Sequence, residues 1–122
     1  MKKKISILGS TGSVGISTLS IIEKNKKNFQ TYIFSANKNY RLICKQIKKY
    51  NPKIFVVNDY NTFKKVLNKF RKNKIRILNN FSNLKKASKS DITISAIPGI
   101  AGLDPTIKLI KKSKKMLIAN KE

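Results

Sequence analysis

Histidine is missing altogether, and acidic side chains are scarce: Glu23, Asp59, Asp91, Asp104 and Glu122 are the only carboxylates in 122 residues. They are scattered, without the spacing of metal ligands, so no metal centre is expected within the chain. The single cysteine, Cys44, excludes an internal disulfide and fits a reducing compartment. It stands at helical spacing beside Ile43 and Ile47, where it reads as a small core residue rather than a nucleophile. No stretch approaches the roughly 20 uninterrupted apolar residues of a membrane-spanning helix. The charged start Met1-Lys2-Lys3-Lys4 is followed by only a short apolar run before Gly9 interrupts it, so no secretory leader is expected. The expected location is the cytoplasm. Internal repeats, low-complexity linkers and a composition shift marking a second domain are also lacking. Residues 1–122 therefore read as one compact domain.

What the chain has in excess is positive charge, 28 Lys and Arg against 5 acids, a net +23. Such a balance raises nucleic acid as a partner. The lysines, however, fall on the polar side of nearly every expected helix rather than on one face. Phe34, Phe55, Phe63 and Phe70 sit at apolar-periodic positions, where packing accounts for them. The expectation is therefore no specific nucleic-acid partner, with weak nonspecific affinity at low salt.

Short apolar runs alternate with amphipathic stretches. Strands are expected over residues 5–8, 31–34, 54–57, 75–78, 92–96 and 116–119. Helices are expected over 13–25, with Val14, Thr18, Ile21 and Ile22 near one face, and over 40–50, with Tyr40, Ile43, Cys44 and Ile47 on one stripe. Asn51-Pro52 stops the second. A third carries Phe63, Val66, Leu67 and Phe70, a short one covers 81–88, and a last one is marked by Leu103, Ile107 and Ile110, with Pro105 in its first turn. Strand–helix alternation with continuous apolar strands implies an α/β fold of Rossmann type: a doubly wound, mostly parallel sheet with helices on both faces.

The connection between the first strand and first helix is Gly9-Ser10-Thr11-Gly12-Ser13-Val14-Gly15. Gly9 permits a sharp exit from the strand. Gly12 removes a Cβ where a pyrophosphate would approach the backbone, and Gly15 lets the helix pack closely. The helix N-terminus offers unpaired N–H groups to phosphates, and Ser10, Thr11 and Ser13 add hydroxyl donors. The loop lacks the Lys-Ser/Thr ending of an ATP-binding P-loop. After the second strand, Ser35-Ala36-Asn37-Lys38-Asn39 contains no carboxylate to accept from ribose hydroxyls. A carboxylate would repel the extra phosphate of NADP, whereas the ammonium of Lys38 pairs with it, so NADP is favoured over NAD. Residues 97–102 and 119–122 follow later strands, and should meet the glycine loop and Lys38 at the carboxyl edge of the sheet.

Residues 7–15, Ala36-Asn37-Lys38-Asn39, residues 99–106 and the closing Leu117-Ile118-Ala119-Asn120-Lys121-Glu122 together resemble the N-terminal domain of the 1-deoxy-D-xylulose 5-phosphate reductoisomerase family. The match runs in order over the whole chain. The resemblance implies that Thr11, Gly12, Ser13 and Val14 hold NADPH and that Lys38 and Asn39 contact its adenosine phosphate. It implies that Asn120 and Glu122 contact the cofactor near its nicotinamide side and that Lys121 contacts substrate. It also implies a cytoplasmic enzyme, a homodimer when full length, that rearranges and reduces a sugar phosphate with Mg²⁺ or Mn²⁺. The family's metal-holding carboxylates lie beyond the Asn-Lys-Glu segment. The chain is thus expected to supply the cofactor-binding part and not to turn over substrate alone. Two positions depart from the family pattern. Asn37 stands where glycine is usual, a change a positive-φ turn would tolerate, and Pro98 stands where proline is unusual. The alternative is a basic nucleic-acid-binding or non-functional remnant of a Rossmann domain.

Overall fold

Strands that are apolar on both sides need cover on both faces, and a parallel sheet joined by helical crossovers supplies it. The structure is a computed structural model that describes residues 2–84, 89–97 and 113–118. Its strands are β1 (Lys3–Leu8), β2 (Phe29–Ala36), β3 (Ile54–Val57), β4 (Arg76–Leu78), β5 (Ser90–Ser95) and β6 (Ser113–Ile118). They form one sheet in the order β4-β3-β2-β1-β5-β6, and every neighbouring pair is parallel. The chain starts in the middle at β1, winds outward to β4, and returns to lay β5 on the other side of β1. This is the doubly wound pattern, and its switch point lies between β1 and β5.

Three α-helices, α1 (Ser13–Lys24), α2 (Tyr40–Tyr50) and α3 (Tyr60–Lys69), connect the first four strands. They share one face, because Leu19 and Ile22, Ile43, Cys44 and Ile47, and Val66 all join one core with Ile5, Ile7, Phe34, Phe55 and Val57. Right-handed crossovers in a single direction of travel require this. On the opposite face a second core gathers Leu8, Tyr32, Ile33, Ile54 and Val56 under the 3-10 turn Phe81–Leu84, so the short helix expected over 81–88 is a 3-10 turn where it is described. The helix expected around Leu103, Ile107 and Ile110 lies outside the described residues.

Local chemistry sets the helix ends. The side chain of Asn39 accepts from the N–H of Leu42 to begin α2. Asn51, left-handed at φ 51, closes that helix by donating its N–H to Ile47 O at 3.0 Å. Asp59 accepts from both the N–H and the hydroxyl of Thr62 to begin α3. Asn37 is not left-handed, since Asn51 is the one non-glycine residue with positive φ among those described. The departure from glycine at position 37 therefore costs no backbone strain.

Two helical stripes differ from expectation. In α1 the buried residues are Gly15, Leu19 and Ile22, while Val14 is 40% and Ile21 61% exposed. The helix is rotated because Gly15 must face the preceding loop, and the positions four and seven later follow it inward. In α3, Thr62, Val66 and Phe70 face the core and Leu67 is 44% exposed. One strand irregularity also matters. Ile5 pairs with Thr31 but Ile7 pairs with Phe34, so β2 carries one extra residue opposite Ser6. The extra amide is satisfied locally, with the N–H of Ile33 donating to Ser6 Oγ at 3.2 Å.

Phe34 is fully buried and meets Phe55 and Tyr50 edge-on, with ring centroids 6.0 and 6.3 Å away. Phe34→Ala is expected to lower stability by about 3–5 kcal/mol in urea unfolding, from lost burial and the cavity left behind. Ile21→Ala is expected to change it by less than about 0.5 kcal/mol. Similar losses in the two variants would contradict this assignment of core and surface.

Candidate functional site

The turn from β1 into α1 stands at the switch point. Gly9 adopts φ 80, and a Cβ there would lie 3.1 Å from Ala96 and Ile97 at the end of β5. The turn is therefore left-handed and also pressed against the neighbouring strand, and glycine answers both demands. Gly15 is tighter still: a Cβ would come within 2.3 Å of Gly9 O and 2.7 Å of Ser10 Cα. Helix α1 thus rests directly on the loop backbone. Gly12 is different. A Cβ on it would meet nothing closer than Gly9 O at 3.7 Å, and the residue is exposed. Among the described residues no atom requires glycine at this position.

Gly12 begins α1, and its carbonyl accepts from the N–H of Ile16 at 2.9 Å. The first-turn amides of Ser13 and Val14 have no acceptor within the helix, and no side chain among the described residues caps them. Helices α2 and α3 are capped by Asn39 and Asp59. Only in α1, among the three, is the partly positive end left open, with Gly12, Ser13 and Val14 all exposed and Thr11 half-buried beside them.

The second group of expected residues follows β2, the strand next to β1. Lys38 and Asn39 are both exposed, at the same carboxyl edge. The side-chain carbonyl oxygen of Asn39 is spent on the α2 cap, where it accepts from the N–H of Leu42 at 3.2 Å. Lys38 stands near Asp59. The Thr62 hydroxyl and N–H, followed by the charges of Lys38 and Lys65, hold the Asp59 carboxyl below the usual aspartate range. Asn120, Lys121 and Glu122 lie outside the described residues, as does the Pro98-Gly99 segment. The geometry here brings together the loop 9–15 and Lys38-Asn39.

One expected donor is unavailable. Ser10 is fully buried, and its hydroxyl donates inward to Gln46 Oε1 at 2.7 Å, so it cannot serve a phosphate. Gln46 and Ser35 escaped the sequence reading. The N–H groups of Gly9 and Ser10 both donate to Ser35 O, at 3.0 and 2.8 Å, and the Gly9 N–H also reaches Ser35 Oγ. A signal for Gln46 was available: it is an amide three residues after Ile43, inside the buried stripe of an otherwise apolar helix face.

Gly15→Ala is expected to destabilise the chain by roughly 1–3 kcal/mol, read as a lower melting temperature, whereas Gly12→Ala leaves it folded and near wild-type stability. Equal melting losses would contradict the contrast. Asp59 supplies a pH test. Its folded pKa is depressed, so its contribution is complete above the unfolded value and disappears as pH falls through the folded one. Asp59→Asn is expected to flatten the stability profile below about pH 4 while preserving the cap acceptor. An unchanged slope would count against the ionised cap.

The family model of 1-deoxy-D-xylulose 5-phosphate reductoisomerase matches residues 5–122. The reductoisomerase of Pelagibacter ubique is 44% identical over 98% of this chain, which spans 32% of that protein. The solved reductoisomerase of Zymomonas mobilis in complex with NADPH superposes with a TM-score of 0.86 at 30% identity, over 98% of this chain and 32% of that one. A DOX-P reductoisomerase solved with NADPH, fosmidomycin and magnesium gives 0.85 at 25% identity, over 97% and 30%. The chain spans about a third of the length of the relatives it matches. With the glycine turn and the parallel sheet in their expected places, the match over residues 5–122 is decisive: the chain belongs to the 1-deoxy-D-xylulose 5-phosphate reductoisomerase family.

Proposed function

We propose that residues 1–122 form the NADPH-binding domain of a 1-deoxy-D-xylulose 5-phosphate reductoisomerase. The observation that carries this reading is the uncapped N-terminus of α1 beside an open Gly12, set at the switch point of a doubly wound sheet. Unpaired backbone N–H groups there can hold a diphosphate, and the missing Cβ lets it come close. Thr11 and Ser13 add hydroxyls, and Val14 offers an exposed apolar side chain at the same rim. Lys38 pairs with the additional phosphate that distinguishes NADP from NAD, and the Asn39 amide hydrogen-bonds near it. On the same reading Asn120 and Glu122 contact the nicotinamide half and Lys121 contacts substrate.

Bound NADPH supplies a hydride to the aldehyde formed by rearrangement of 1-deoxy-D-xylulose 5-phosphate, giving 2-C-methyl-D-erythritol 4-phosphate, an isoprenoid precursor. The residues of this chain bind and orient that cofactor. Among the described residues, no group of three or more His, Cys, Asp or Glu side chains gathers to hold a metal ion. They do not fit Mg²⁺ or Mn²⁺, and the metal ligands are assigned to the remaining length of the family's proteins. No helix among the described residues is long and apolar enough to cross a membrane. A cytoplasmic homodimer completes the proposal. Specific nucleic-acid binding is not part of it: Phe34, Phe55 and Phe70 are core residues, unavailable for base stacking.

Titration of the chain with NADPH and NADH, followed by nicotinamide fluorescence at two salt concentrations, tests this reading. The expectation is tighter binding of NADPH, loss of most binding in Gly12→Val, and roughly tenfold weaker NADPH binding in Lys38→Ala with NADH little changed. Equal affinities for the two nucleotides, unaffected by Lys38→Ala, would remove the specificity assignment. No NADPH binding at all would remove the reading.

A further inference from the structure

We propose that Gln46 is a positioning residue for the nucleotide-binding turn. Its buried amide, bonded twice to Ser10, holds the backbone from which the Gly12–Val14 segment meets the diphosphate. The inference rests on the NADPH reading above. Gln46 is 3% exposed, on the α2 face that otherwise presents Ile43, Cys44 and Ile47 to the core. Its two ends are used in opposite senses: Nε2 donates to Ser10 O at 2.8 Å, and Oε1 accepts from the Ser10 hydroxyl at 2.7 Å. The Ser10 N–H meanwhile donates to Ser35 O at 2.8 Å. Every polar group of Ser10 is thereby bonded to β2 or α2, across 25 or 36 residues of sequence.

Packing alone does not call for this arrangement. A leucine or methionine would fill the same stripe without the desolvation of a primary amide, so the glutamine is explained by what it holds. What it holds is the residue between left-handed Gly9 and the Thr11-Gly12 rim. The element it extends from is the helix that begins at Asn39, directly after Lys38. The pair therefore sets the diphosphate turn and the Lys38-Asn39 corner in one rigid frame. A glutamine in this role affects nucleotide affinity without touching nucleotide.

The test compares wild type with Gln46→Met and Ser10→Ala, measuring NADPH affinity and amide hydrogen exchange of the nucleotide-free chain. With either partner lost, a buried group is left unpaired. Exchange of the bonded amides of Gly9, Ser10 and Gly12 is expected to quicken about tenfold or more, amides of β3 and α3 are expected to keep their protection, and the NADPH dissociation constant is expected to rise about tenfold. Ser10→Ala is the milder change and serves if Gln46→Met fails to fold. Unchanged exchange and affinity would overturn the proposal. So would a uniform rise in exchange over the whole chain with affinity intact, which marks a purely structural glutamine. If wild type ignores NADPH while the variants still loosen residues 9–15 alone, the cofactor reading fails and the anchoring of the turn stands.

Discussion

At position 15 there is no room for a side chain, and much of the molecule follows from that. A Cβ on Gly15 would fall inside contact distance of Gly9 O and the Ser10 backbone, so helix α1 is seated directly on the loop with this position inward. That seating sends Leu19 and Ile22 into the core, turns Val14 and Ile21 outward, and aims the first turn of the helix past Gly12. The same contact presses the turn toward β5, where Gly9 is hemmed by Ala96 and Ile97. Helix seat, crevice and open amides are therefore one constraint seen from three sides. The three glycines divide the work: two answer to protein atoms, and Gly12 answers to none of the described residues.

Much of this was legible in the sequence because the signals were local. The limits of α2 coincide with the expectation from Tyr40, Ile43, Cys44 and Ile47 and the Asn51-Pro52 stop, since stripe and terminator agree. Strand β3 was equally plain, four apolar residues between turns. What escaped was set at long range. The inward face of α1 could not be read from apolar periodicity, because a glycine without a side chain decides it. Ser10 was read as a phosphate donor because its hydroxyl looks like those of Thr11 and Ser13. Its true partner, Gln46, is 36 residues away. The extra residue in β2 shows only when the strand is laid beside β1.

The positive charge is easier to place with the fold in hand. Lysines on α1, α2 and α3 all point to solvent, including Lys24, Lys45, Lys48, Lys64, Lys65 and Lys69. They coat the helical face broadly, while the candidate site depends on a lysine outside the helices, Lys38, and on backbone amides that carry no formal charge. Some are locally paired, as Lys49 is with Glu23 at 3.1 Å and Lys114 with Asp91 at 3.2 Å. Exposed pairs of this kind contribute little to stability. Their number bears on colloidal behaviour and counter-anions more than on the choice of ligand.

The bulge in β2 carries a consequence for how the protein can change over time. Before it, strand alternation would send residues 31, 33 and 35 the same way; beyond it, Tyr32 and Ile33 share one face and Phe34 takes the other. That half-step brings Phe34 under the helices and keeps Ser35 in register with Leu8, where its carbonyl can grip the turn. Loss of Tyr32 or Ile33 would remove the bulge itself and leave Phe34 free to keep its pairing with Ile7, whereas loss of a residue after Phe34 would turn the rest of the strand inside out. Insertions and deletions should collect in the loops around residues 25–28 and 71–74, where chain length is not tied to the sheet register.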